Sequence, residues 1–241
     1  MRSRIRYLTG QYIFRAPFLF SVRFVKSVDS YDLDSYLANI HPTFPVLART
    51  KARVQSLISQ CPPSLQDAFC DAVLDFARPF LRLSALFNGE TGTSTQQSLT
   101  EWELERHPRS PATDLVYFQT TVMMALDQEY RGRLRSSPGP ALLGKAAGLG
   151  YSLRLHLATP DSVPSPELDP DSDHNVALRA WWTLVAFDRW NAIGTGVPTI
   201  ISNETAVILP GLKHIVGEGV YQLIRKLVQY SSAFWLIMKC D

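Results

Sequence analysis

The sequence predicts an all-α protein, a multi-helix bundle or array with a central Trp-rich helix. Three observations carry that reading. Apolar residues recur at three- and four-residue spacing through several segments between 64 and 228. No stretch alternates apolar and polar residues long enough to build a sheet. The run LRAWWTLVAFDRWN at 178–191 is apolar around most of its circumference, so it needs cover on several sides.

Residues 64–86 read as a helix, with Leu65, Phe69, Val73, Phe76 and Phe80 in register despite Pro79. A polar loop is expected over 89–98. Between 110 and 130 the stripe is Leu115, Phe118, Val122 and Leu126, widened by Val116 and Met123. Ser110 followed by Pro111 suits its start, because Pro at the first helical position loses no needed N–H. Asp114 suits the positive end of the helix dipole. Residues 133–140 read as a turn. The next helix sets Leu142, Ala146, Leu149 and Leu153 on one face, with Gly144, Gly148 and Gly150 interspersed. Each glycine costs about 1 kcal/mol relative to Ala. Either close approach of a neighbouring helix offsets that, or the helix frays at Gly148. Residues 158–173, broken by Pro160, Pro164, Pro166 and Pro170, read as a surface loop. Ser172 or Asp173 then caps the Trp-rich helix, which the glycines of 194–198 end. Residues 200–210 read as irregular or briefly extended. A last amphipathic helix starts near Gly219, with Val220, Leu223, Ile224, Leu227 and Val228 inward and Arg225 and Lys226 outward.

The 241 residues are 46% apolar and 19% charged, which fits a folded domain and excludes wholesale disorder. A net charge of +2 implies no polyanion partner for the chain as a whole. Its distribution is uneven: Arg2, Arg4, Arg6, Arg15, Arg23 and Lys26 all precede Asp29, the first acidic residue. Residues 1–30 are therefore a basic N-terminal segment. Its composition fits a mitochondrial presequence, a phosphate-touching arm or the edge of a fragment. Residues 31–241 read as one helical domain, incomplete at its C-terminus. Charged residues interrupt the most apolar run, so no membrane span is expected.

Chemistry-bearing motifs are sparse. Cys61, Cys70 and Cys240 form no zinc spacing and read as thiols of a reducing compartment. His41, His107, His156, His174 and His214 are dispersed, and a metal site in this chain is not expected. Glu101, Glu103 and Glu105 read as a solvated face. The loop at 194–198 lacks the strand and lysine of a phosphate cradle. What stands out is the helix at 178–191. There Trp181, Leu184, Val185 and Asp188 share one face, and Trp182, Val185, Ala186 and Arg189 the adjacent one. An ionised Asp among apolar neighbours needs hydrogen-bonded partners. Asp188 and Arg189 are thus expected to lock neighbouring helices or the 194–198 loop, and Trp181, Trp182, Asp188 and Arg189 are the candidate ligand contacts.

The same residues carry a resemblance. RAWWTLVAFDR at 179–189, then Gly196, Val197 and Pro198, Ile201 and Ser202, and Leu209 and Pro210, resembles the signature of the fungal-specific transcription factor domain. This is the middle homology region of zinc-cluster regulators. YLANIHPTFPVL at 36–47 resembles the opening motif of that domain, and KAAGLGYSLRLHL at 145–157 its second landmark. The likeness spans about residues 31–230. It implies a regulatory domain of a nuclear transcription factor, not an enzyme. Such a domain would act through intramolecular contacts, other transcription regulators or a small-molecule effector. The family often has an Arg where Val197 stands, and a basic pair where this chain has Arg179 alone. The family's six-cysteine cluster is absent from this sequence. Zinc is therefore expected only in an N-terminal cluster outside this chain, and DNA contact only through that cluster or a partner. An all-α enzyme or ligand-binding protein with an apolar inter-helical pocket, or a purely structural interaction domain, are the rival readings. A cavity holding clustered titratable groups would favour the enzyme.

Overall fold

Nine α-helices, and no strand, are formed by the residues that the computed structural model describes: 30–78, 80, 93–105, 107–132, 139–157, 169–208 and 211–238. The readings made for residues 1–29, for 81–92, for the turn at 133–138, for the loop at 158–168, for Leu209 and Pro210, and for Cys240 lie outside the described residues. In order the helices are α1 (Ser30–Asn39), α2 (Lys51–Ile58), α3 (Pro63–Ala77), α4 (Thr93–Leu104), α5 (Pro111–Gly132), α6 (Gly139–Ser152), α7 (Asp173–Thr195), α8 (Leu212–Val216) and α9 (Glu218–Met238). Among the described helices, none is long and apolar enough to cross a membrane.

Capping explains several of the boundaries. At α5 the Ser110 Oγ accepts from the Thr113 N–H at 3.2 Å, and the Thr113 Oγ1 accepts from the Ser110 N–H at 2.8 Å. That reciprocal pair satisfies two donors that the first turn would otherwise leave open. At α7 the Ser172 Oγ accepts from the Asn175 N–H at 3.2 Å. The helix closes on Gly196, whose φ of 72° is the left-handed conformation that favours glycine at this position.

Three expectations need correction. Helix α3 stops at Ala77 and does not run to 86. A proline at position 79 has no N–H with which to continue the ladder. Phe80 is 37% exposed, set edge-on against Phe76 with its N–H on the Ala77 carbonyl. The polar stretch ending at 98 is not a loop to its end, because α4 begins at Thr93. Its inward face is Thr95, Leu99 and Trp102, all buried. The Thr95 and Ser94 hydroxyls donate to the buried carboxylates of Asp75 and Asp71 on α3 at 3.0 and 2.7 Å. A helix whose inward face begins with a hydroxyl hides from an apolar count. Finally, Asp171, read as part of a surface loop, is only 8% exposed.

Helix α3 packs against both α4 and α5, α5 in turn against α6, while α7 lies against α5, α6, α8 and α9. Helix α6 runs unbroken past Gly148 to Ser152, so it does not fray there. Its buried face is Leu142, Leu143, Ala146, Ala147 and Gly150, with Leu149 only partly covered. Of Gly144, Gly148 and Gly150, only Gly150 meets a neighbouring helix. A Cβ there would fall closer than 3.0 Å to the ring of Trp181 on α7, whereas one at Gly144 or Gly148 would meet nothing within 4 Å.

Candidate functional site

Helix α7 organises two buried polar centres, one near each end. Near its start, Arg179 is fully buried. Its Nη1 donates to the Pro170 carbonyl at 2.7 Å, and its Nη2 to the Leu47 carbonyl at 3.0 Å and Asp171 Oδ1 at 2.8 Å. The other oxygen of Asp171 accepts the Arg49 N–H at 2.9 Å. Arg53 donates to the Asp171 carbonyl and to Asp173 Oδ1, and Arg49 reaches the His214 and Ile215 carbonyls in the last turn of α8. This centre ties the segment after α1 to the turn before α7. Beside it the Tyr36 hydroxyl donates to the Phe44 carbonyl, and burial holds that phenol well above its ordinary range.

His41 lies in the same centre, edge-on to Tyr36, and its Nδ1 has no partner. Burial, with the charges of Arg179 and Arg49 added and Asp171 opposing, pushes its imidazole down to about 4. The folded value lies below the unfolded one. The stability that the neutral ring contributes is therefore complete above about pH 6.5 and is lost as pH falls toward 4. Between about pH 7 and 4.5 this should remove roughly 2–3 kcal/mol. Urea unfolding of the wild type and His41→Phe at both pH values measures it, since the variant has nothing to protonate there. Equal acid losses in the two proteins would refute the assignment.

In the second half of α7, Asp188 is 2% exposed and Arg189 fully buried. Asp188 Oδ1 accepts the Ile200 N–H at 2.9 Å, and Oδ2 accepts the Ile201 N–H at 3.0 Å and Arg189 Nη1 at 2.6 Å. Burial pushes the carboxyl of Asp188 up and the guanidinium of Arg189 down, while the two amides and the ion pair hold both charges in place. The carboxylate thus pins the chain just beyond the helix, at 200–201. Arg189 Nε and Nη2 have no partner among the described residues. Trp181, fully buried, stands edge-on to Tyr151 of α6 at 5.5 Å. The Tyr151 hydroxyl in turn meets Thr205 Oγ1 at 3.1 Å and accepts the Ser202 N–H at 3.2 Å. Trp182 is 5% exposed and belongs to the apolar core.

On the opposite side of α7 lies a cavity of about 460 Å³ between α7, α9 and the segment at 43–44. Thr183, Ala186, Phe187, Trp190 and Asn191 line it from α7, and Val220, Leu223 and Leu227 from α9. These α7 positions follow the i, i+3, i+4, i+7, i+8 spacing of one helical face. Trp181 and Asp188 point about half a turn away from it. None of Trp181, Trp182, Asp188 and Arg189 lines this cavity, and among the described residues no Asp, Glu, His, Cys, Lys or Arg does either. The clustered titratable groups that would favour an enzyme are not found in it. Thr183 and Asn191 carry no charge or motif that marks them in the sequence. The signal was present in their helical register with Phe187 and Trp190.

Among the described residues no group of three or more His, Cys, Asp or Glu could hold a metal ion. Cys61 and Cys70 are buried, and burial pushes the Cys61 thiol up to about 11.

Comparison with known proteins places this geometry. The model of the fungal specific transcription factor domain matches residues 33–210. An uncharacterised transcriptional regulatory protein of Schizosaccharomyces pombe is 27% identical over 205 residues. That alignment covers 82% of this chain and 23% of the relative, so the chain spans about a quarter of the relative's length. No solved structure shows a significant match.

Proposed function

Because the chain belongs to the family of fungal specific transcription factor domains and is similar to a transcriptional regulatory protein, we propose that it is the regulatory domain of a nuclear transcription factor, working through contacts of its helical body. The observation that carries this is the family match over 33–210, which contains the whole of α7 with Arg179, Asp188 and Arg189. Its role in transcription regulation follows from the family, and the mode of regulation is our proposal. The domain changes the output of a DNA-bound complex by engaging another segment of the whole protein, another transcription regulator or a small-molecule effector. No catalytic step belongs to this reading.

Sequence recognition on DNA is assigned to a zinc cluster outside these residues, or to a partner. Three cysteines cannot supply the six thiolates of such a cluster, and Cys61 and Cys70 are buried as thiols. With a net charge of +2, any contact this chain makes with DNA is expected to be weak and steeply reduced by salt.

The test is to tether residues 1–241 to an unrelated DNA-binding module and read two reporters, one of low and one of high basal expression. A change of several-fold in at least one, relative to the module alone, is the expected result. Flat output from both, with the fusion present at its operator, would overturn the reading.

A further inference from the structure

The cavity on the outer face of α7 has the chemistry of a ligand site. At about 460 Å³ it falls in the range of small-molecule pockets, which run from about 300 to 1,000 Å³. Its walls are largely hydrocarbon and aromatic, supplied by Phe44, Ala186, Phe187, Val220, Leu223 and Leu227, with the half-exposed Trp190 among them. A charged ligand group would find no counter-ion among the described lining residues, and burying it unpaired is very costly.

One polar group in the wall is out of place. Thr183 is 3% exposed, and its Oγ1 has no hydrogen-bond partner. A helical threonine ordinarily donates its hydroxyl to the carbonyl four residues back. Thr120, Thr121 and Thr195 do so here, at 2.8, 2.9 and 2.7 Å. Thr183 does not, although it sits well inside α7. A buried hydroxyl left open costs stability that an apolar residue would not. Its place in the cavity wall gives that cost a use, because the proton is available to an acceptor inside.

We propose that this cavity binds an uncharged, mainly hydrocarbon or aromatic small molecule carrying a hydrogen-bond acceptor, which the Thr183 hydroxyl engages. This deepens the regulatory reading by naming the effector's chemical class, and rests on that reading for its consequence in transcription. A molecule wedged between α7 and α9 favours the arrangement of the two helices that accommodates it. The Trp190 indole, at the same wall, is a built-in reporter of occupancy.

The purified 241-residue chain is titrated with Nile red, a neutral aromatic dye bearing a carbonyl. Saturable binding of one dye per chain, with quenched tryptophan emission, is the expected result. Leu223→Trp and the milder Ala186→Leu fill the space and should each weaken binding at least tenfold. Thr183→Val keeps the shape, removes the hydroxyl, and should weaken binding about fivefold to tenfold while leaving the thermal melt unchanged or higher. The anionic dye 1-anilinonaphthalene-8-sulfonate should bind at least tenfold more weakly than Nile red. Absence of saturable binding, indifference to both filling variants, or equal affinity for the anionic dye overturns the proposal. A wild-type chain that takes up no dye and elutes as a dimer gives the cavity to a second copy and overturns it too. Dye binding with a silent tethered reporter leaves the site standing and removes the regulatory reading. A responsive reporter without dye binding does the reverse.

Discussion

Trp181→Ala is expected to lower the unfolding free energy by about 3–5 kcal/mol, the range for emptying a fully buried large aromatic site. The indole has no exposed surface and lies over Gly150 and beside Tyr151. A helix backbone cannot move in to fill the space, so the void persists. Trp182→Ala should approach the same value at its 5% exposed position. The converse substitution tests the same contact from the other side. Gly150→Ala pushes a methyl into the Trp181 ring and should cost about 1–3 kcal/mol. The same change at Gly144 or Gly148, where nothing lies within 4 Å, should stabilise α6 by up to about 1 kcal/mol. In Trp181→Ala the added methyl at 150 has room, so the double variant should be no worse than Trp181→Ala alone. Urea melts of the series decide it, and additive losses at 150 and 181 would show that the two do not touch.

Removal of the Asp188 carboxylate should cost about as much. From sequence alone a loss of about 1–3 kcal/mol follows from unsatisfied partners. The structure raises this to about 3–5 kcal/mol, because Asp188→Ala leaves the Ile200 and Ile201 amides open and the fully buried Arg189 without its counter-ion. Arg189→Met added to Asp188→Ala should recover part of the loss, since it removes the stranded charge but not the two open amides. The denaturation midpoints of the single and double variants are the measurement. A single variant within about 0.5 kcal/mol of wild type would mean that the pair is solvated and that 200–201 is held by something else.

The helices most legible in the sequence were the long ones with a broad apolar stripe and clear end signals. Residues 110–130 announced α5 through a continuous stripe, a Ser-Pro start and an acidic first turn. The run from Ser172 to Gly196 announced α7 through its cap, its length and its terminating glycine. The end of α3 at Ala77 escapes the apolar pattern, because periodicity ignores the N–H that a proline at 79 lacks. Helix α4 was misread because Thr95 and Ser94 face Asp75 and Asp71, a polar seam that no hydrophobic pattern registers. The short α8 and the weakly apolar α1 and α2 left little periodic signal. At the candidate site, the sequence told that Asp188 and Arg189 must be paired, yet not that the partners lie at 200–201. The Arg179 centre was illegible for a deeper reason. Its acceptors are the backbone carbonyls of Leu47 and Pro170 and one carboxylate from a proline-rich stretch, and only tertiary folding brings those together.

That Arg179 centre also bears on the order in which the molecule assembles. Four of its bonds join positions 118 to 132 residues apart along the chain, so the chain between residues 53 and 171 is a closed loop whose ends it fastens. Closing so long a loop demands chain entropy before any contact rewards it, whereas the α3–α4 and α5–α6 pairings involve near neighbours in sequence. The loop's helices therefore have the kinetic advantage, and the fastening belongs to the last stage of folding. Interactions made late act mainly on the unfolding rate. The buried arginine is thus less a seed of the fold than its latch, and sets how long the finished domain stays shut.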